Sequence, residues 1–264
     1  MTRVGVVCCD LDGVVWRGDE PIPGSDRAVA QMRAGGIRVA FMTNNSSGRV
    51  GDYLAKLERV GIDATPDDVF TSAQAAAAML GASLPAGARV HTLAGPGVTE
   101  ALTESGFELV DDAPASAVVV GFSHDFDFPR LARAADIVRA GARLVATNLD
   151  PTYPAAHGLL PGAGSLVAAV ATASGATPEV AGKPAAPTVA LIRARLGNRG
   201  VVVGDRPSTD GALAAALRWP FALVLSGVAG SHGEEPVPDP PPPFVAPDLA
   251  ALAPMLLDGQ NRPG

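Results

Sequence analysis

Cysteine is scarce in this sequence, and its placement bears on the compartment of the protein. The 264 residues include two cysteines, the adjacent Cys8 and Cys9. Because neighbouring residues on a strand point to opposite faces, these two thiols are not positioned to bond to each other. We interpret both as small hydrophobic residues buried in a protein of a reducing compartment.

A basic excess and long apolar runs are also missing. The chain has 20 lysines and arginines against 27 aspartates and glutamates, with a net charge of −7. It therefore has no basic footprint for nucleic acid, and its acidic surface would repel anionic lipid headgroups. No apolar run approaches the roughly 20 residues of a membrane span, and no signal peptide is visible. We expect a cytoplasmic protein that binds neither nucleic acid nor membranes.

Residues 4–18 combine an apolar run with two acidic residues. The run at 4–9 is apolar and β-branched, which predicts a strand buried on both faces, as in a parallel sheet. Asp10 and Asp12 follow, and Gly13 permits a sharp turn. Two carboxylates this close are costly unless a cation lies between them, and strand ends are where chemistry collects in open α/β sheets. A strand end with solvated acids is the alternative interpretation.

Strand and helix patterns alternate along the two outer thirds of the chain. This alternation predicts an α/β fold, a doubly wound parallel sheet with right-handed crossovers. We expect Ser25 to cap the first helix, and the proline-rich segment 234–247 to run extended outside any sheet. The predicted strands are 37–42, 69–71, 200–203 and 222–225, and the predicted helices are 25–34, 50–60, 72–80, 187–196, 209–217 and 249–257.

A second α/β unit interrupts this pattern. Residues 81–87 resemble a linker, and a second boundary falls near 175–178. We therefore predict a core formed by residues 1–80 and 179–264, with an inserted domain at 81–178. The inserted strands are predicted near 89–93, 117–120 and 143–147, and the helices near 98–105, 129–140 and 165–174.

Four ordered motifs resemble those of the haloacid dehalogenase (HAD) superfamily phosphatases. They are DLDGVVWRG from Asp10, TNNSS from Thr43, GKP from Gly182 and GDRPSTD from Gly204. The insertion resembles the cap, or substrate-specificity domain, of subfamily IIA. That subfamily includes nitrophenyl-phosphate, phosphoglycolate, glycerol-3-phosphate, nucleotide and pyridoxal phosphatases. The resemblance covers the chain from residue 4 to about 228, and it implies a HAD-like Rossmannoid core with an inserted α/β cap domain.

The resemblance implies the roles of the acidic residues. Asp10 matches the nucleophile, and a carboxylate can form an aspartyl-phosphate. Asp12 matches the acid that protonates the leaving group and then activates water. Asp10, Asp12 and Asp205 would hold Mg²⁺, with Asp210 in support, and an all-oxygen site suits that ion. Many relatives carry an acid where this chain has Ser208, so the details of the metal site are in question.

Phosphate binding is expected from the second and third motifs. Thr43, Asn44 and Asn45 follow a predicted strand, where a hydroxyl and backbone N–H groups would hold phosphoryl oxygens. The alternative is an Asx or Ser turn into a helix. Lys183 matches the lysine that pairs with nucleophile and phosphate in the family, although a lone lysine is usually a solvated surface charge.

The segment 147–164 resembles the substrate-specificity loop of the cap. Asn148, Asp150 and Tyr153 are the candidate substrate contacts, and the alternative is a long surface loop stiffened by prolines. No arginine lies within 148–164, so a bidentate clamp for a second acidic group is not evident there. This favours glycerol 3-phosphate over 2-phosphoglycolate.

We therefore predict a phosphoric monoester hydrolase that uses Mg²⁺ and an aspartyl-phosphate intermediate to hydrolyse small phosphorylated metabolites. Glycerol 3-phosphate is the favoured substrate, and 2-phosphoglycolate, pyridoxal phosphate and nucleotides are alternatives. A non-catalytic binder of phosphate ligands and a phosphotransferase also stay open. A homodimer is one option for the oligomeric state.

Overall fold

The computed structural model describes residues 4–155, 158–229 and 235–261, with the backbone alone at 153–155, 158–159 and 259–261. By its internal contacts the chain divides into two compact units. The first comprises Met1–Thr43, Tyr53–Phe70 and Ile192–Gly264, and the second comprises Asn44–Asp52 and Thr71–Leu191. Within the described ranges, no helix has the length and apolar character that crossing a membrane requires.

The first unit is built on a six-stranded sheet, as far as the described residues show. Its order is β15-β14-β13-β1-β4-β5. The strands are β1 (Val6–Asp10), β4 (Arg38–Thr43), β5 (Val69–Thr71), β13 (Val201–Gly204), β14 (Phe221–Val224) and β15 (Phe244–Ala246), and a short hairpin is formed by β2 (Trp16–Arg17) and β3 (Glu20–Pro21).

The central strand β1 explains why the N-terminal run is so apolar. It pairs in parallel with β4 on one side and with β13 on the other, so that Cys8 lies opposite Ala40 and Val202. Both cysteines are fully buried, and neither is in a disulfide bond. Because β1 and β13 are parallel neighbours, the residues that follow them emerge at one edge of the sheet.

The helices of the first unit follow the strands as the sequence predicts. They are α1 (Ser25–Ala34), α8 (Ala212–Leu217), which follows a π-helical turn at Pro207–Gly211, and α9 (Leu249–Asn261). Two others, α2 (Val50–Arg59) and α7 (Ala186–Leu196), continue from one unit into the next. The prediction that Ser25 caps α1 is wrong, because Gly24 occupies the N-cap with φ of 83° and the Ser25 hydroxyl donates to Val15 O at 3.2 Å.

The proline-rich tail also differs from its prediction. Its last part forms β15, which pairs in parallel with β14, so that Ala222 lies opposite Phe244. Three non-proline residues separate Pro243 from Pro247, and an edge position needs hydrogen bonds on one side only. A short strand therefore fits between prolines that a central strand would not tolerate.

The second unit has a five-stranded parallel sheet among its described residues. Its order is β12-β9-β8-β6-β7. The strands are β6 (Arg89–Leu93), β7 (Glu108–Leu109), β8 (Ala117–Val120), β9 (Arg143–Ala146) and β12 (Glu179–Val180), beside an antiparallel hairpin of β10 (Thr152–Ala155) and β11 (Gly158–Pro161). The two-residue strands and the hairpin are too short for the sequence pattern to indicate.

Helices cover both faces of this second sheet. The helices are α3 (Ser72–Gly81), α4 (Pro96–Glu104), α5 (Phe128–Arg139) and α6 (Ala163–Ser174). Val119 of β8 packs in the core beneath α3 and α4, whereas its neighbours Val118 and Val120 pack beneath α5 and α6. This alternation is what a strand buried on both faces requires.

The predicted α/β class with parallel sheets is confirmed. The contacts group α3 and residues 179–191 with the second unit, whereas the sequence pattern places them with the core. The boundaries at 80/81 and 178/179 stay a prediction.

Candidate active site

Three buried carboxylates meet at one edge of the first unit's sheet. Asp10 ends β1, Asp205 follows β13, and Asp210 lies in the π-helical turn. One carboxylate oxygen of each lies within 4.8 Å of the others. Asp10 is 8% exposed, Asp205 4% and Asp210 0%. We call Asp10, Asp205 and Asp210 the acidic cluster. Buried anions this close repel one another strongly unless a positive charge compensates them.

Backbone N–H groups hold two of these carboxylates in place. Val228 N–H donates to Asp205 Oδ2 at 2.6 Å, and Ala229 N–H donates to the carbonyl of Asp205 at 3.0 Å. Arg206 N–H donates to Asp210 Oδ2 at 3.1 Å. These bonds fix the orientation of both side chains and offset part of the cost of burying them.

Glycine is required beside Asp205. Gly13 has φ of +82°, and a Cβ on it would lie 2.3 Å from Asp205 Oδ2. A Cβ on Gly227 would lie 1.9 Å from the same oxygen. The sequence predicts the turn at Gly13, but the close approach of Gly227 depends on a contact between distant segments.

The segment after Gly13 is tied to the loop that carries Gly227. Ser226, which is 5% exposed, donates its hydroxyl to Gly13 O at 2.6 Å. Arg17 Nε donates to Ser226 O at 2.6 Å. Sequence reasoning missed Ser226, because nothing near it in the chain indicates a partner more than 200 residues away.

Asp12 lies beside the acidic cluster in the chain but has a different environment. It is partly exposed, and its Oδ1 accepts a hydrogen bond from Trp16 Nε1 at 3.0 Å. Gly13 N–H donates to Trp16 O at 2.7 Å and closes this small loop. The predicted acid and metal-binding roles of Asp12 stay a prediction.

Asn44 is the centre of a hydrogen-bonded cluster in the second unit. Its Oδ1 accepts from Lys183 N–H at 2.8 Å, and its Nδ2 donates to Asp150 Oδ2 at 3.2 Å and Lys183 O at 3.3 Å. Its own carbonyl accepts from Asn148 Nδ2 at 2.7 Å and from the Ser72 hydroxyl at 2.6 Å. Four of the predicted site residues are therefore brought together: Asn44, Asn148, Asp150 and Lys183.

Lys183 is buried, at 6% exposure. A solvated surface charge, the alternative interpretation of this lysine, is thus excluded. Gly182 beside it is also enclosed, since a Cβ there would lie 2.3 Å from Thr147 O. A buried ammonium group requires anionic or hydrogen-bonding partners.

The other residues of the second motif are placed differently. Thr43 ends β4 and is 2% exposed. Asn45 Oδ1 accepts from the Ser47 N–H at 3.0 Å and the Ser47 hydroxyl at 2.7 Å, which is the Asx turn of the alternative interpretation. Their roles in phosphate binding stay a prediction.

The predicted specificity loop is partly structural. Asn148 is 4% exposed, and its Oδ1 accepts from Asp150 N–H at 3.0 Å. Tyr153 lies in β10, and its side chain is outside the described part of the structure. Their contacts with substrate stay a prediction.

Ser208 binds an acidic residue that is distant in the chain. Its hydroxyl donates to Glu235 Oε1 at 2.6 Å, and its N–H donates to Glu235 Oε2 at 2.9 Å. Arg206 Nε lies 3.8 Å from Glu235 Oε1. A carboxylate is therefore present next to residue 208, supplied by the proline-rich tail.

Comparisons with known proteins agree with the four motifs. A family model of haloacid dehalogenase-like hydrolases matches residues 7–108, and a HAD-hydrolase-like model matches residues 180–252. The chain is 42% identical to D-glycerol 3-phosphate phosphatase of Mycobacterium tuberculosis over 252 residues, which are 92% of this chain and 69% of that protein.

Two solved structures are similar to nearly the whole chain. Glycerol phosphate phosphatase from Mycobacterium tuberculosis in complex with magnesium has a TM-score of 0.86 at 38% identity, covering 96% of this chain and 78% of that one. The p-nitrophenyl phosphatase from Archaeoglobus fulgidus has a TM-score of 0.87 at 28% identity, covering 96% and 99%.

Proposed function

Because the chain belongs to the haloacid dehalogenase-like hydrolases, we propose that it is a Mg²⁺-dependent phosphatase that hydrolyses glycerol 3-phosphate. The acidic cluster carries this proposal. Three buried carboxylates with oxygens within 4.8 Å of one another are typical of a site that holds a cation and a phosphoryl group together. A non-catalytic phosphate binder would not require the cluster and both motif aspartates intact.

The acidic cluster suits magnesium. Its donors are all oxygens, which Mg²⁺ prefers, and no described histidine or cysteine joins them. Asp10 and Asp205 would hold the ion through their carboxylates and Asp12 through its backbone carbonyl, and Asp210 would support them through the Arg206 backbone that it binds. When bound, the ion neutralises charge on the carboxylates and on the phosphoryl oxygens.

The reaction follows from the two motif aspartates. Asp10 attacks phosphorus and forms an aspartyl-phosphate, while the bond from phosphorus to the leaving oxygen breaks. Asp12 gives its proton to that oxygen, which leaves as an alcohol. Asp12 then takes a proton from water, whose oxygen attacks phosphorus and releases inorganic phosphate, so that both carboxyl groups are restored.

Phosphate and substrate contacts are assigned by their match to the family motifs. Thr43, Asn44, Asn45 and Lys183 would bind the phosphoryl group. Asn148, Asp150 and Tyr153 would contact the leaving group, with residues 81–178 as the cap domain that excludes water. The burial of Lys183 supports its role, since a buried ammonium group pairs readily with a phosphate. We place this activity in the cytoplasm.

The substrate preference rests on the chemistry of the specificity loop. With no arginine in 148–164, this loop offers hydrogen bonds rather than a clamp for a second anion. A neutral polyol phosphate is therefore favoured over 2-phosphoglycolate. The similarity to a glycerol phosphate phosphatase supports the same preference.

The test is a comparison of kcat/KM for glycerol 3-phosphate, 2-phosphoglycolate, pyridoxal phosphate and a nucleoside monophosphate, measured as release of inorganic phosphate with Mg²⁺. We expect glycerol 3-phosphate to be the best of the four and all activity to be lost in excess chelator. An advantage of more than about tenfold for another substrate, ~1.4 kcal/mol in transition-state binding, would contradict the substrate assignment. Transfer to another acceptor without phosphate release would indicate a phosphotransferase.

A further inference from the structure

Trp16 makes a contact that neither the motifs nor the proposed reaction explain. Trp16 is 1% exposed, and its indole Nε1 donates to Asp12 Oδ1 at 3.0 Å. A buried indole N–H needs a hydrogen-bond partner, and this one is directed at the carboxylate that we propose as the acid. The other tryptophan, Trp219, is 5% exposed, and its Nε1 has no such partner among the described residues.

A lysine lies over the same indole ring. Lys56 Nζ is 4.4 Å from the centroid of the Trp16 ring, and it donates to Gly18 O at 2.5 Å. Its ion pair with Asp19 is 3.7 Å long, and the Asp19 side chain is 99% exposed, so that pair contributes little. The contact between cation and ring holds the indole in its plane and draws electron density from it, which makes the N–H a stronger donor.

We propose that Trp16, backed by Lys56, is a positioning residue that orients Asp12 for protonation of the leaving group. The inference rests on the proposed function. A carboxylic acid has two oxygens, and the proton that it transfers must be on the one that faces the leaving oxygen. Because the indole N–H occupies Oδ1, the transferable proton is carried by Oδ2. The carboxyl group is thus held in one of its two orientations before substrate binds.

The leaving group provides the test. W16F retains a ring for packing and for the lysine, but it lacks the N–H. An alkoxide leaving group needs a proton as it departs, whereas nitrophenolate does not. We expect W16F to lower kcat/KM by about tenfold or more for glycerol 3-phosphate and by less than about threefold for p-nitrophenyl phosphate. A merely structural role would lower both values by the same factor.

W219F is the matched control, because the same substitution there removes an indole N–H that has no hydrogen-bond partner among the described residues. It should leave the ratio of the two kcat/KM values unchanged. If the ratio in W16F equals that of wild type, the positioning role is wrong. If W16F does not fold, 3-benzothienylalanine at position 16 is the test: it keeps the shape of the indole but has no N–H, and an unchanged ratio there would equally overturn the proposal.

D12N separates this inference from the proposed function. It should show the same leaving-group dependence as W16F, but with a larger loss. If D12N shows the dependence and W16F does not, only the role of Trp16 fails. If D12N shows none, Asp12 is not the acid and the proposed mechanism fails first. Since kcat/KM reports steps up to departure of the leaving group, the later base role of Asp12 does not affect the comparison.

Discussion

At the scale of single residues, the acidic cluster leaves no room for a side chain at position 13. Gly13 combines a positive φ of +82° with a Cβ position 2.3 Å from Asp205 Oδ2. The first feature strains any other residue, and the second would displace a carboxylate that we assign to the metal site. Backbone strain and displacement of the carboxylate can be measured separately, because Gly18 also has a positive φ but has no atom near its Cβ position.

G13A should therefore abolish activity and weaken Mg²⁺ binding, whereas G18A should retain both. Gly18 has φ of +55°, but nothing lies within 4 Å of its Cβ position. We expect both variants to lose about 1–3 kcal/mol of unfolding free energy from backbone strain. Calorimetric titration with Mg²⁺ and thermal unfolding measure the two effects. Unchanged Mg²⁺ affinity in folded G13A would contradict the assignment of Asp205.

Single residues also show where sequence reasoning succeeds. The resemblance to the HAD phosphatases predicts that Asp10 and Asp205 act together, and their carboxylates do lie in one cluster. The physical reason is that their strands are parallel neighbours, which release their ends at one edge of the sheet. The contacts of Ser226 with Gly13 and of Glu235 with Ser208 were not predictable. They depend on how distant loops return to the sheet, and no local pattern of residues encodes that.

At the scale of elements, the second motif and the specificity loop are joined through one amide. The Asn44 side chain donates to Asp150 Oδ2 and accepts from Lys183 N–H. N44D would keep the acceptor but place a second carboxylate against Asp150. We expect it to cost about 1–3 kcal/mol of unfolding free energy and to lower activity.

A double-mutant cycle tests this arrangement. D150N restores an amide opposite the new carboxylate, so N44D/D150N should be more stable than the sum of the single losses predicts, by at least about 0.5 kcal/mol. N45D is the matched control, because the Asn45 Oδ1 accepts hydrogen bonds from Ser47 that a carboxylate can also accept. Additive losses in the cycle would mean that the contact of residues 44 and 150 is unimportant.

An ion pair on the edge strand β12 makes the stability of the fold depend on pH. Arg143 of β9 donates to both carboxylate oxygens of Glu179, at 2.8 and 2.7 Å. These hydrogen bonds, with the attraction of the guanidinium, hold the pKa of Glu179 below its ordinary value. The pair therefore stabilises the fold fully above the unfolded pKa of about 4.3, and the stabilisation is lost as pH falls through the lower folded pKa.

E179Q should thus be less stable than wild type at neutral pH and equally stable in strong acid. The difference should be at most about 1 kcal/mol, because the pair is half exposed. Denaturant unfolding across this pH range measures it. The matched control is E108Q, whose partner Arg89 lies 3.8 Å away across the same sheet, and which should change stability less. If the difference in unfolding free energy between E179Q and wild type does not shrink in acid, the pH dependence assigned to this ion pair is wrong.

At the scale of the whole molecule, the four motifs in their order identify the family more specifically than any single motif does. The alternation of strand and helix patterns predicts the α/β class, and four short segments spread over the chain identify the family. The short strands β7 and β12, the hairpin of β10 and β11, and the edge strand β15 were missed. Each is four residues or fewer and is stabilised by pairing with another strand rather than by its own composition.

The central claim is that this chain is a phosphatase whose nucleophile is Asp10. Asn differs from Asp by one atom type and fits the same space, so D10N should fold as wild type does while losing the attacking oxygen anion. The most direct measurement is the steady-state release of inorganic phosphate from glycerol 3-phosphate by wild type and D10N in the presence of Mg²⁺. We expect turnover by wild type and a loss of at least about a thousandfold in D10N. Comparable phosphate release by the folded D10N variant would contradict the account.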